Sequence, residues 1–215
     1  MTRMDRRRFL SLSGLALSGA VVGTAIPAVA HADADSATWR QKTSLNGWPV
    51  LSEGETQRFR IEGSGLSVRL APAAAPVLLY VARRFIYEID SQLQAGEITG
   101  YTDDRNIAAS YESAYLSGSG ITIRPLLYPM GAENGFFEHE KIVIRDILAD
   151  CDGVIAWGGD LDPVKESHFH ITVPATSSEY RNLVDRLRTW EDSPGKGAGA
   201  IDAFTPERLQ RAGSN

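Results

Sequence analysis

The stretch from Cys151 to Val173 reads CDGVIAWGGDLDPVKESHFHITV, and the prediction of the fold starts from it. A short apolar segment at residues 154–157 ends at a glycine pair, and strand-like sequence resumes at residues 168–173. Since strand side chains alternate between faces, His168 and His170 are predicted to share one face. Two neighbouring imidazoles beside a glycine-kinked loop favour a functional site. The alternative is a half-buried edge strand with a polar outer face.

The rest of the chain predicts an α+β fold, with about three helices packed on a small, mainly antiparallel sheet. Apolar residues at helical spacing predict helices over residues 77–93, 138–150 and 176–190. Thr176 and Glu179 have the spacing of a capping box at the start of the third helix. Further strands are predicted at residues 59–62, 66–70 and 121–124.

Composition excludes several classes of function. The net charge is −5, and no basic stripe follows the N-terminal region, so no nucleic-acid partner is expected. Cys151 is the only cysteine in the chain, which excludes an intramolecular disulfide, a cysteine-based zinc knuckle and a redox pair.

The N-terminus has the features of an export signal. Arg6-Arg7-Arg8-Phe9-Leu10 matches the twin-arginine pattern, an apolar run follows, and Ala28-Val29-Ala30 offers a cleavage site. The competing interpretation is a membrane anchor, but the run is interrupted by Ser, Gly and Pro27 and is followed by polar sequence. We therefore expect a secreted or extracytoplasmic protein that starts near His31 and keeps no stable membrane anchor after cleavage.

These features divide the chain into four parts. We expect a twin-arginine signal peptide at residues 1–30, a flexible segment at 31–43, the folded domain at 44–190 and a disordered tail at 191–215. The tail is rich in Gly, Pro and Ser and has no sustained periodicity, apart from a short turn of helix that the sequence favours over residues 206–211.

Landmarks in this order resemble a known family. The sequence landmarks that carry the resemblance are Asn46-Gly47-Trp48-Pro49, the helix at 77–93, Gly100-Tyr101 with Arg105, Ser117-Gly118, Phe136, residues 144–148, Trp157-Gly158-Gly159-Asp160 and His168-Phe169. They cover residues 44–173. The chain resembles the D-alanyl-D-alanine carboxypeptidase-like zinc peptidases, in the branch with VanY-like and endolysin-type members.

The resemblance implies a cleft that handles cell-wall peptides. Members of the family cleave such peptides with one zinc ion, which is held by a His and an Asp of one segment and by a His in a later His-Phe pair. A carboxylate three residues before that last His acts as the general base. Zinc lowers the pKa of its bound water to about 7, and the base accepts the proton.

This chain departs from the family pattern at the zinc site. When Ser117 and Gly118 set the register, Tyr115 stands where the first His is needed and Thr122 stands where the Asp is needed. His168 keeps the last ligand position, while Lys165 stands three residues before it, where the base is needed. Glu166 is one position out of register. The resemblance therefore implies a degenerate zinc site, and no standard zinc hydrolysis is expected.

Three hypotheses follow. In the first, the cleft either binds cell-wall-like peptides or small molecules without zinc or has become a metal-independent catalyst. The candidate catalytic residues are then His168, His170, Tyr115 and Glu166. His168 or His170 would exchange protons near neutral pH, and Tyr115 would donate a hydrogen bond unless it merely fills the emptied ligand position.

Four further residues are candidates for contact with a ligand in that cleft. They are Arg105, Ser117, Trp157 and Asp160. Arg105 would hold a substrate carboxylate by a two-point contact, or else form a surface ion pair with Asp103 or Asp104.

The second hypothesis is a rebuilt zinc site on His168 and His170, with a third ligand from His139, Glu138 or Glu166. The alternative for His139 is a solvent-facing helix residue. The third hypothesis is a non-catalytic interaction protein at the cell surface, with the cleft filled by Tyr115 and its neighbours. No cofactor is expected in the first and third hypotheses.

Overall fold

Four antiparallel strands pair at the centre of the fold in a computed structural model that describes residues 37–193 and 195–213. In chain order the strands are β1 (Ala37–Thr38), β2 (Gln57–Arg60), β3 (Ser67–Leu70), β4 (Ile98–Thr99), β5 (Asn106–Ile107), β6 (Gly120–Ile123), β7 (Ile155–Trp157) and β8 (His168–Ile171). The helices are α1 (Ala75–Glu88), α2 (Ser113–Leu116), α3 (Glu138–Asp150), α4 (Ser178–Glu191) and α5 (Pro206–Ala212). The predicted α+β class is confirmed.

The central sheet has the strand order β4-β6-β8-β7, and β1-β5 and β2-β3 form two small antiparallel pairs. Strand β8 therefore lies inside the sheet, and the interpretation of the histidine stretch as an edge strand is wrong. Among the described residues, no helix is long and apolar enough to cross a membrane.

One face of the central sheet packs against the long helices. Phe169 points to this side, and its ring meets the ring of Phe85 on α1 edge to face, with 6.4 Å between the ring centres. Ile121 and Ile171 are fully buried in the same core. Burial of these side chains is the main favourable contribution to folding, at roughly 25 cal/mol per Å² of apolar surface.

The opposite face of the sheet carries the histidines and is covered by α2. Gly120 on β6 lies directly opposite His170, and a Cβ atom built at Gly120 would stand 3.0 Å from the Ala114 Cβ of α2. The missing side chain at this position lets α2 approach the sheet closely. The face that the sequence leaves polar is consequently buried.

The second and third predicted helices agree closely with α3 and α4, while their flanks differ in detail. Ser177, rather than Thr176, caps α4, because its Oγ accepts a hydrogen bond of 3.1 Å from the backbone N–H of Tyr180. Helix α1 ends at Glu88 instead of residue 93, and beyond it Asp90 pairs with Arg124 across 2.5 Å.

Residues 1–30, predicted as a signal peptide, and residues 31–36 lie outside the described part of the chain. Residues 37–43 were expected to be flexible, but they are held in place. Strand β1 pairs with β5, and the Trp39 indole N–H donates to the Thr43 carbonyl across 3.0 Å. Sequence polarity failed here because backbone pairing stabilises this segment.

The predicted disordered tail also differs from the structure. Residues 195–213 are ordered and end in α5, which packs against α3. Arg208 of α5 forms ion pairs with two buried carboxylates of α3, Asp146 at 2.7 Å and Asp150 at 2.5 Å. Long-range ion pairs of this kind leave no periodicity in the tail itself, so composition alone could not reveal them.

Candidate functional site

The positions that the family resemblance assigns to zinc meet in space. Tyr115 lies at the end of α2, Thr122 lies on β6, and His168 lies directly opposite Thr122 on β8. Directly opposed residues of an antiparallel pair share a face of the sheet. Three positions that are up to 53 residues apart in sequence therefore line one buried spot.

Tyr115, His168 and His170 form a continuous hydrogen-bonded chain, called here the Tyr–His–His chain. The Tyr115 hydroxyl lies 2.5 Å from His168 Nδ1, and His168 Nε2 lies 2.9 Å from His170 Nδ1. The residues are 8%, 0% and 7% exposed, in that order. Both nitrogens of His168 are thus occupied. Of the four imidazole nitrogens in the Tyr–His–His chain, only His170 Nε2 has no hydrogen-bond partner among the described residues.

The two contacts allow a consistent placement of the hydrogens. In a first assignment the Tyr115 hydroxyl donates to His168 Nδ1 and the Nε2–H of His168 donates to His170 Nδ1, and the reverse direction satisfies the same contacts. Each imidazole is then neutral with one N–H, as the tautomer rules require. In the first assignment the remaining N–H of His170 is on Nε2, at the end of the Tyr–His–His chain opposite Tyr115.

Aromatic and charged neighbours enclose the Tyr–His–His chain. The Tyr111 ring lies against His168, with 4.7 Å between the ring centres, and its hydroxyl donates to the Pro163 carbonyl across 2.6 Å. Lys165 places its ammonium 5.2 Å from the centre of the Tyr115 ring and 2.6 Å from a carboxylate oxygen of Glu112. Lys165 is therefore the cation beside the Tyr–His–His chain, and Glu112 already neutralises it.

Burial shifts the pKa values of all three side chains of the Tyr–His–His chain away from neutral pH. Desolvation, together with the nearby His170 and Lys165, holds the pKa of His168 well below its usual value of 6.5. Desolvation lowers the pKa of His170 to about 4. Desolvation, together with the nearby Glu112 carboxylate, raises the pKa of Tyr115 well above 10. At neutral pH all three groups are uncharged.

This burial predicts a loss of stability in mild acid. Between pH 6.5 and about 4, His170 binds a proton in the unfolded protein but not in the folded protein. The free energy of unfolding therefore falls as the pH falls. The slope is about 1.4 kcal/mol per pH unit for one proton. Urea unfolding of wild type and His170→Gln at pH 7, 6, 5 and 4.5 measures it. The variant should show a shallower dependence over this window, and identical curves would contradict the assignment.

The residues present do not fit a zinc ion. Zinc bound to His168 Nδ1 would lie about 2.0–2.1 Å from that nitrogen, where the Tyr115 hydroxyl now stands at 2.5 Å. Because the pKa of Tyr115 is raised, its hydroxyl stays protonated at neutral pH and does not provide a phenolate ligand for a metal. Among the described residues, no group of three or more His, Cys, Asp or Glu side chains has an arrangement that could hold a metal.

The proposed third ligands have other partners. His139 is exposed and stacks on Phe137 with 5.8 Å between ring centres, in line with the alternative of a solvent-facing helix residue. Glu138 pairs with Lys141 at 3.1 Å. Glu166 accepts hydrogen bonds from the backbone N–H groups at residues 134 and 135, at 3.0 and 2.7 Å.

The four predicted ligand-contact residues are engaged within the protein. Arg105 donates to the Trp39 and Gln41 carbonyls at 3.1 and 3.4 Å, and no carboxylate partner is found for it in the described chain. Ser117 is buried and donates to the Ala114 carbonyl across 3.0 Å. Ser117 therefore presents no free group to a cleft, whereas Arg105 is exposed and is held through its Nη1 alone.

Trp157 and Asp160 also have internal partners. The Trp157 indole N–H donates to the Glu166 carbonyl across 2.7 Å. Asp160 accepts two hydrogen bonds of 2.5 Å from the Arg145 guanidinium, which lies over the Trp157 ring. Together with Glu166, the Trp157 edge lines a surface cavity of about 260 Å³ that also includes Asn134, Lys141 and Arg145.

Sequence reasoning missed Tyr111 and Glu112. Tyr111 precedes Tyr115 by four residues, so helical spacing could have placed the two rings on one side. Glu112 pairs with Lys165 over 53 residues of sequence, and no local pattern signals such a pair.

The chain was also compared with known proteins. It matches no protein-family model, no curated protein and no solved structure.

Proposed function

We propose that this chain is an exported, non-catalytic interaction domain on a D-alanyl-D-alanine carboxypeptidase-like scaffold whose zinc centre has been replaced by the Tyr–His–His chain. The observation that carries the proposal is the 2.5 Å contact between the Tyr115 hydroxyl and His168 Nδ1. This contact closes the spot at which a catalytic metal would have to bind.

The convergence of Tyr115, Thr122 and His168 supports the family part of the proposal. Sequence register alone assigned these three positions to zinc. They lie close together where α2 covers strands β6 and β8. Lys165, at the position of the missing base, lies beside the Tyr115 ring. Export is proposed from the twin-arginine pattern at Arg6-Arg7-Arg8-Phe9-Leu10.

The displaced pKa values favour a non-catalytic role over a metal-independent catalyst. General acid–base catalysis is most effective when the pKa of the group lies near the working pH. The pKa of His170 is about 4, that of His168 is also low, and that of Tyr115 is raised. All three side chains are also buried, so a substrate in solution does not reach them.

The proposal predicts that the mature protein, residues 31–215, releases no D-Ala from a peptide ending in D-Ala-D-Ala, with or without added zinc. His168→Ala is the matched control, and both proteins should give the buffer rate in a coupled assay for free D-Ala. Zinc-stimulated release that is lost in His168→Ala would contradict the proposal and restore the rebuilt zinc site. Chelator-insensitive release that is lost in His170→Gln would instead establish a metal-independent enzyme.

A second candidate function is binding of a cell-wall-like peptide without hydrolysis. The cavity of about 260 Å³ beside Trp157 and Glu166 favours it, because the Lys141 ammonium borders this cavity and its one ion-pair partner in the described chain, Glu138, is highly exposed and exchangeable for a ligand carboxylate. Calorimetric titration with a peptidoglycan stem peptide tests this candidate. Saturable binding that Lys141→Ala weakens would support it, and absence of heat in both proteins would exclude it.

A further inference from the structure

The C-terminal segment is held to the domain in an unusual way. Residues 195–213, called here the strap, run from the end of α4 to α5, which lies on α3. Its larger apolar side chains are only partly buried: Leu209 is 39% exposed, Phe204 is 48% exposed, and Ile201 is partly buried against the core. Ala203 and Ala212 are buried, but they are small side chains. Apolar burial therefore contributes little to the docking of α5.

Charged groups supply the contacts that apolar groups do not. The Arg208 guanidinium bonds both Asp146 and Asp150, at 2.7 and 2.5 Å. Arg211, one turn later, also pairs with both carboxylates, one of them across 3.5 Å. Both aspartates are fully buried, while Arg211 remains 43% exposed. Two arginines on one face of a short helix thus close over two buried carboxylates.

Outside the strap, Arg84 is the one cationic side chain that bonds these two carboxylates within the described residues. Arg84 bonds Asp146 at 2.7 Å and Asp150 at 2.8 Å, and it also pairs with Glu88. Without the strap, three carboxylates would share this one guanidinium, and Asp150 would keep in addition the hydrogen bond of 2.6 Å from the Tyr80 hydroxyl. Buried charges without partners are costly, so the docked strap is favoured as long as both of its arginines are in place.

We propose that the strap is a conformational device that opens as one unit while the rest of the domain stays folded. Its two arginines sit on the same helix, so their ion pairs form and break together. On opening, water and dissolved ions regain access to the aspartates and to the guanidinium groups, which lowers the cost of opening below that of unfolding the apolar core.

Opening would dismantle a cavity of about 400 Å³ that is lined mostly by strap residues, among them Thr205 and Arg208. It would uncover the domain's side of that cavity, which includes Trp190 and Asp150. Together with Asp146, Asp150 would then form an acidic surface on α3. The strap therefore controls access to a face of the domain distinct from that of the Tyr–His–His chain.

Hydrogen exchange of the mature chain, followed by mass spectrometry of peptides, tests the device. In wild type, α5 should exchange faster than α1. Arg211→Gln should speed exchange in α5 about tenfold, a factor that corresponds to about 1.4 kcal/mol, and leave α1 unchanged. Arg211 is the suitable position because its partial exposure lets the variant fold.

Arg188→Gln is the matched control, because Arg188 is exposed on a helix and its ion pair with Asp185 is long, at 3.9 Å. This variant should exchange like wild type throughout. Raising the salt concentration should speed exchange in wild-type α5 and leave α1 unchanged. Equal exchange rates in α5 and α1 of wild type, or a rise in both together in Arg211→Gln, would overturn the proposal.

Discussion

Mature protein that carries Tyr115→His together with Thr122→Asp is expected to bind one zinc ion, whereas the wild type is expected to bind none. The reason is geometric. Positions 115 and 122 already flank His168 on the buried face of the sheet, so the two substitutions would place two imidazoles and a carboxylate around one point. This is a donor set that zinc accepts with a fourth position open. We expect a Kd on the order of 1 μM or tighter, or about 8 kcal/mol of binding free energy.

The matched control is Tyr115→His with Thr122→Asn, which has the same size but lacks the anionic ligand. Zinc titration monitored by calorimetry should give stoichiometric binding for the first variant and much weaker binding for the control. Circular dichroism establishes that both variants are folded. A folded first variant that binds zinc no better than wild type would mean that these positions do not form a ligand set, and the resemblance to the zinc peptidases would lose its support.

The largest effect on stability is expected at Arg84. This side chain is fully buried on α1 and joins two buried carboxylates of α3, Asp146 and Asp150. Burial alone would lower the pKa of Arg84, but hydrogen bonds with Glu88 and Asp146 more than offset this and raise it, so the guanidinium stays charged. Arg84→Met should destabilise the fold by about 3–5 kcal/mol, because it leaves the aspartates short of a partner.

Arg145→Met is the control for the Arg84 prediction. Arg145 has a comparable two-point pair with Asp160, but both side chains are partly exposed. Exposed pairs of this kind contribute about 0–1 kcal/mol. Urea unfolding of the two variants measures the difference. Similar losses for Arg84→Met and Arg145→Met would contradict the view that the buried cluster organises α1, α3 and α5.

Local sequence patterns predicted much of the fold. Helix α3 begins and ends at the predicted residues, because its apolar residues repeat at helical spacing. The alternation in β8 correctly placed His168 and His170 on one face, and the structure has Phe169 on the other, in the core. The ordered tail could not be predicted in this way, since α5 is fixed by carboxylates on α3 that lie more than 50 residues earlier.

The candidate site was predicted only in part. Sequence register identified Tyr115, Thr122 and His168, and these do converge. Accessibility was predicted incorrectly, because alternation assigns His170 to a face but does not reveal that α2 covers this face. Glu166 was selected by its closeness to the family's base position, yet its carboxylate holds the backbone of the loop at residues 134 and 135.

The most direct test of the account is the zinc content of the mature wild-type protein, measured by elemental analysis as purified and after dialysis against zinc. His168→Ala and His170→Ala serve as controls. Since the Tyr115 hydroxyl occupies the metal position next to His168, we predict no zinc above background in any of the three proteins. Stoichiometric zinc in the wild type that disappears in both variants would contradict the closed, metal-free site.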